Sequence, residues 1–135
     1  ITEDLHLRTK MVDKRLAKME LLEEAVSEPK LWPDANYKHL VLCWGSTLTV
    51  AKEALKMIGR DDISLLHFLQ VFPLPAGLGD MFEKAEMIIC MEGNATGQFA
   101  NLLALHGYEV DECLLNYDGL QFMVEQTADT IRSII

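Results

Sequence analysis

Basic residues, cysteine and long apolar runs are all scarce in this chain. Lys and Arg number 12 against 21 Asp and Glu, for a formal net charge of −9. Nucleic-acid affinity comes largely from Lys and Arg contacts to phosphate, so this balance argues against a nucleic-acid partner. No apolar run approaches the roughly 18 residues of a membrane-crossing helix, and no membrane partner is expected. Charge begins at the third residue, so no secretory signal peptide is expected either. The 3 cysteines, Cys43, Cys90 and Cys113, are far apart, form no Cys-x-x-Cys pair and lack His at ligand spacing. That argues against metal or iron–sulfur ligation within the chain. Each sits in an apolar, strand-like run and is expected to be a buried, reduced thiol of a cytoplasmic core.

What is present is a foldable chain. Half of its 135 residues are hydrophobic and 24% are charged, which fits one folded α/β domain and is too short for two. The opening Ile-Thr-Glu-Asp, without Met, reads as part of a longer polypeptide.

From Thr2 to about Val26, apolar residues at Leu5, Val12, Leu16, Met19, Leu22 and Val26 recur at gaps of three, four and seven, which predicts one face of a helix. Thr2 is the expected N-cap, and Arg8, Lys14, Arg15 and Lys18 occupy the opposite side. Pro29 and Pro33 then break the pattern around Leu31 and Trp32. Residues 1–36 are therefore expected to be a lead-in helix and linker, docking residues 37–135 to something before them.

Within 37–135, apolar runs alternate with helical periods. His39 to Trp44 reads as a strand buried on both faces, turned by Gly45-Ser46-Thr47 into a helix with Leu48, Ala51, Leu55 and Ile58 inward and Gly59 at its end. Further strands are expected over Ile63 to Leu69, Met87 to Met91 and Val110 to Leu115. Short helices are expected from Asp80 to Ala85 and from Gly97 or Gln98 to His106, and a closing helix over Val124 to Ile134. This alternation implies a mainly parallel sheet with helices on both faces. Four strands are found in this way; a fifth is raised only by the resemblance described below, and would lie between Leu31 and Tyr37 or be missing.

Two strand-to-helix turns are candidate sites: Gly45-Ser46-Thr47, and Glu92-Gly93-Asn94-Ala95-Thr96-Gly97-Gln98. Both lie at the carboxyl ends of strands, where open α/β sheets bind ligands and partners. A helix N-terminus offers free N–H groups and a partial positive charge, so either turn suits a phosphate or carboxylate. The competing reading is tight strand–helix packing: the second turn lacks the length and Lys of a phosphate loop, and no GxGxxG occurs. Glu92 ends a strongly apolar strand, where an ionised carboxylate needs donors. It either accepts backbone N–H bonds from its own turn or contacts a partner subunit or cofactor. His6, His39, His67 and His106 have no Ser, Cys or Asp at suggestive spacing, so no catalytic residue is assigned. His67 is expected to be a hydrogen-bonded core residue, and Trp44 to pack in the core.

Five segments in order carry a resemblance. They are Lys14-Arg15 with Lys18, Trp44-Gly45-Ser46-Thr47, Pro73-Leu74-Pro75, Glu92 to Gln98, and Tyr117-Asp118-Gly119. From about Met11 to its end, the chain resembles the C-terminal domain of the α subunit of 2-oxoacid:ferredoxin oxidoreductases, nearest the 2-oxoglutarate type. After Gly119 it departs, reading Leu120-Gln121-Phe122-Met123 where the family has Arg-Pro-Phe and a Ser or Thr helix cap. The resemblance implies a fold like the transketolase C-terminal domain: a three-layer α/β/α sandwich whose mixed, mainly parallel sheet has four to five strands. It also implies a cytoplasmic, oligomeric parent enzyme that converts a 2-oxoacid to acyl-CoA and reduces ferredoxin. Thiamine diphosphate, magnesium and an iron–sulfur cluster would be held outside this chain, which has no GDG-type motif. The implied partners are the N-terminal domain of the same subunit, the β subunit and ferredoxin, with this domain structural and inactive alone. The alternatives are an anion- or CoA-binding regulatory module, and the C-terminal domain of a transketolase or oxoacid-dehydrogenase relative.

Overall fold

Residues 3–33 and 36–135 are described by a computed structural model. In chain order the elements are α1 (Leu5–Glu24), β1 (Lys30–Trp32), β2 (His39–Trp44), a 3₁₀ turn (Gly45–Thr47), α2 (Leu48–Ile58), β3 (Ile63–Phe68), α3 (Gly79–Lys84), β4 (Met87–Glu92), α4 (Gln98–Leu105), β5 (Glu112–Leu115) and α5 (Val124–Ile134). The strands form one five-stranded sheet in the order β1-β3-β2-β4-β5. All pairings are parallel except β1 with β3, where Lys30 faces His67 and Trp32 faces Leu65. The expected mixed sheet with helices on both faces is therefore present, and its fifth strand starts at Lys30, inside the segment anticipated as linker.

The strand period of two builds two cores. Leu40 and Leu42 of β2, Leu66 and Phe68 of β3, and Cys90 of β4 point to one face, where α3 brings Phe82 and α4 brings Phe99 and Leu103. Val41, Leu65, Ile89 and Met91 point to the other, against Ala51 and Leu55 of α2 and Ile131 of α5. β3 is buried along its whole length because both faces are covered and both edges are paired. Each Leu or Ile so buried contributes about 1.5–3 kcal/mol. Gly59 stops α2 as expected: at φ +71° its N–H reaches the Leu55 carbonyl at 3.1 Å.

Several expectations need correction. Thr2 lies outside the described residues, and the N-cap of α1 is Asp4, whose carboxylate accepts from the His6 and Leu7 N–H groups at 2.9 and 3.1 Å. Val110 precedes β5, packing against the first core from a loop. Cys113 is exposed because β5 is an edge strand, while Cys43 and Cys90 are buried as anticipated. Trp44, at the last residue of β2, is 36% exposed and is not a core residue. No residue of α1 is buried, so the apolar face that sequence periodicity marks is not covered by the described residues.

Candidate functional site: the carboxyl end of the sheet

β2 and β4 are parallel neighbours, yet their following helices leave in opposite directions. α2 packs on one face and α4 on the other. The gap between Gly45 and Gly93 is therefore the topological switch point of the sheet, where open α/β folds form a crevice. A cavity of about 460 Å³ opens there, lined by Ser46, Thr47, Gly93, Asn116, Tyr117 and Gln121, among others. The fold thus brings residues of three separate turns together, namely Ser46 with Thr47, Gly93, and the segment from Asn116 to Phe122, whereas Gly45 itself does not line the cavity. Glu92, Asn94, Thr96, Gly97 and Gln98 do not line this cavity.

The reason is local. Glu92 is fully buried. Its Oε2 accepts from the Phe99 N–H and from Asn94 Nδ2, both at 2.8 Å, and its Oε1 accepts from the Ala100 N–H at 2.9 Å. The Cys90 thiol also donates to Oε1, at 3.5 Å. Asn94 Oδ1 then accepts from the Thr96 and Gln98 N–H groups at 3.1 and 3.2 Å. The first-turn donors of α4 are thereby taken by side chains of the chain itself. Glu92 occupies the position an external anion would fill, which satisfies both the helix end and a carboxylate that would be costly to bury alone. Gly97 suits this closure through its backbone: at φ +60° it takes a left-handed conformation that costs a residue with a Cβ, although a Cβ there would meet Cys113 Sγ and Glu92 Oε1 only at ordinary contact distances of 3.5 and 3.8 Å.

The Gly45 turn is arranged differently. His67, buried as expected, holds the Gly45 carbonyl through Nε2 at 3.2 Å, and the Thr47 hydroxyl donates to the Trp44 carbonyl at 2.7 Å. Across the cavity, Asn116 Nδ2 donates to the Leu120 carbonyl at 2.9 Å, and the Leu120 N–H donates to Asp118 at 2.8 Å. The lining offers hydroxyls, amides and a phenol, with no cationic side chain. The same lining carries exposed apolar surface: Tyr117 and Leu120 are both more than 70% exposed. Sequence reasoning missed this surface because exposure of an apolar residue has no local signature.

The thiols do not converge. Cys90 and Cys113 are register partners on β4 and β5, whereas Cys43 alternates to the opposite face. Burial pushes the Cys43 thiol up to about 12. Burial also raises those of Cys90 and Cys113, with the Glu92 carboxylate adding to both. Protonated thiols on two faces are a poor donor set for a metal cluster, which needs thiolates. No group of three or more His, Cys, Asp or Glu side chains among the described residues forms a metal-binding set.

The α subunit of 2-oxoacid:ferredoxin oxidoreductase 1 from Sulfurisphaera tokodaii is 29% identical over 140 residues, covering 100% of this chain. The chain is homologous to part of a 2-oxoacid:ferredoxin oxidoreductase α subunit. The Aeropyrum pernix oxidoreductase 2 α subunit is 30% identical over 142 residues and 99% of the chain. In both cases the chain spans 22% of the relative's length. No family model matches it. Among solved structures, a 2-oxoglutarate:ferredoxin oxidoreductase from Magnetococcus marinus, with 2-oxoglutarate, coenzyme A and succinyl-CoA bound, has the same fold. It aligns with a TM-score of 0.78 at 18% identity, over 98% of this chain and 24% of that one. The α chain of a probable 2-oxoacid ferredoxin oxidoreductase from Thermoplasma acidophilum aligns with a TM-score of 0.54 at 19% identity, over 79% of this chain and 96% of that one. The α/β architecture is thus shared with these oxidoreductase chains.

Proposed function

We propose that the chain is the C-terminal, assembly-forming domain of the α subunit of a cytoplasmic, oligomeric 2-oxoacid:ferredoxin oxidoreductase. Lys30 to Ile135 would form its α/β unit and residues before Lys30 its connecting helix. The parent reaction would be oxidative decarboxylation of a 2-oxoacid to acyl-CoA with reduction of ferredoxin. The 2-oxoglutarate type is favoured by the Magnetococcus marinus neighbour, which carries that substrate. Thiamine diphosphate and magnesium would supply the decarboxylation chemistry elsewhere in the parent, together with its iron–sulfur cluster.

One observation carries the reading. The Glu92 to Gln98 turn is closed on itself by Glu92, while the cavity at the neighbouring strand end exposes Tyr117 and Leu120. A turn with its donors already used, next to exposed apolar side chains, suits contact with a neighbouring domain or the β subunit better than capture of an anion. The isolated chain, given thiamine diphosphate, magnesium, CoA and 2-oxoglutarate, should reduce neither ferredoxin nor a viologen dye. Turnover by the isolated chain would overturn the proposal. Tyr117→Asp with Leu120→Asp in the full α subunit should weaken its assembly with the β subunit.

A second reading rests on the cavity of about 460 Å³ at the switch point, which has the place and size of a small-ligand crevice. It assigns the chain an anion- or CoA-binding role. Titration calorimetry with CoA and inorganic phosphate separates the two, since the assembly reading expects no heat.

A further inference from the structure

α1 is 20 residues long and buries nothing, although 7 of its large apolar side chains, from Leu5 to Leu22, are exposed. An isolated helix of this length is marginal in water, so its packing partner matters to whether it persists. Its surface is sharply divided. At 100° per residue, an arc of about 160° holds only cationic side chains and Leu or Met. The cations are Arg8, Lys10, Lys14, Arg15 and Lys18, and they alternate with Leu7, Met11, Leu21 and Leu22. The acids Asp13, Glu20, Glu23 and Glu24 all fall outside this arc.

Lys10, Lys14 and Lys18 form an i, i+4 ladder of like charge, which disfavours the free helix by roughly 0.2–0.5 kcal/mol per pair. None of the five cations forms an ion pair among the described residues. The Magnetococcus marinus alignment extends over 98% of this chain, and there this fold is 24% of a larger chain.

We propose that the basic and apolar face of α1 docks onto a protein surface of the parent enzyme that presents an apolar strip flanked by carboxylates. This rests on the reading of the chain as one domain of a larger α subunit. Five cations interleaved with four apolar side chains on one arc demand a partner with both characters. A lipid surface would need an uninterrupted apolar half, which this face lacks. A nucleic acid would meet a chain whose net charge is −9.

Hydrogen exchange of the α1 amides tests this in the assembled enzyme and in the 135-residue chain. Exchange should be at least about tenfold slower in the assembly. It should speed up on Lys14→Glu/Arg15→Glu/Lys18→Glu, and also on the milder change of the same three residues to Gln, read at increasing NaCl if the Glu variant does not assemble. Equal exchange in both samples overturns the proposal, as does protection indifferent to charge and salt. Protection in the 135-residue chain with a doubled mass by light scattering would make the partner a second copy, and protection only with anionic vesicles or DNA would make it a polyanion; either overturns it. Failure of the oxidoreductase reading would appear separately, as an assembly without 2-oxoacid-dependent ferredoxin reduction, whatever α1 does.

Discussion

Replacing Glu92 with Gln keeps the side-chain size and removes one acceptor together with the charge. The amide nitrogen is best tolerated on the Oε1 side, where it faces the Ala100 N–H and leaves that backbone donor unmet. An orphaned buried donor costs about 1–3 kcal/mol. The remaining bonds from Phe99 and Asn94 fall from charge-assisted strength, about 1.5–3 kcal/mol each, to about 1 kcal/mol. Loss of the carboxylate at the α4 N-terminus removes up to about 2 kcal/mol of dipole interaction. Against these stands relief from burying a charge, several kcal/mol in the opposite sense. The balance is a loss of about 2–4 kcal/mol, or roughly 3–5 °C of Tm per kcal/mol for a chain of this size. Urea unfolding followed by circular dichroism measures it, with the exposed loop change Glu109→Gln as the control expected within about 0.5 kcal/mol of the parent. A Glu92→Gln loss no larger than that control would refute the claim that this carboxylate, rather than loop packing, closes the helix end.

Thiol labelling at pH 8 should modify Cys113 alone, and slowly, because its thiol is raised by burial and by Glu92; Cys43 and Cys90 should react only after denaturant is added. Mass spectrometry of the adducts reads this, and rapid Cys90 labelling in the native chain would contradict the structure. Gly97→Ala should destabilise by about 1–2 kcal/mol, the cost of a left-handed conformation for a residue with a Cβ, measured by the shift in urea midpoint. On the acid side, Arg60 holds the Asp62 carboxyl down to about 2 from 3.8. Since the folded value is the lower one, this contribution is complete above about pH 4 and is lost as pH falls towards 2. Thermal melts from pH 5 to 2 should therefore show a shallower acid-side decline for Asp62→Asn than for the parent chain.

The elements from His39 to Ile134 were legible in the chain because their signals are local. Apolar runs of six residues mark buried strands, a 3.6-residue period marks helices such as α2, and Gly59 ends a helix through its own backbone freedom. β1 was not legible in this way: three residues between Pro29 and Pro33 are too few to show a period, and only pairing with β3 makes them a strand. Both candidate turns were visible as strand-to-helix junctions. Their difference was not, since Glu92 finds its backbone donors seven and eight residues later.

By itself, then, the sequence determined the kinds and order of most elements, the polar turns at the strand ends and the family resemblance, all of which depend on neighbours within a few residues. Tertiary structure decided the rest. Strand order placed the Gly45 and Gly93 turns on either side of one crevice, the edge position of β5 exposed Cys113, and no described element buries a residue of α1. Burial is a property of what lies across from a residue, and an apolar period states only that a face is available to be covered.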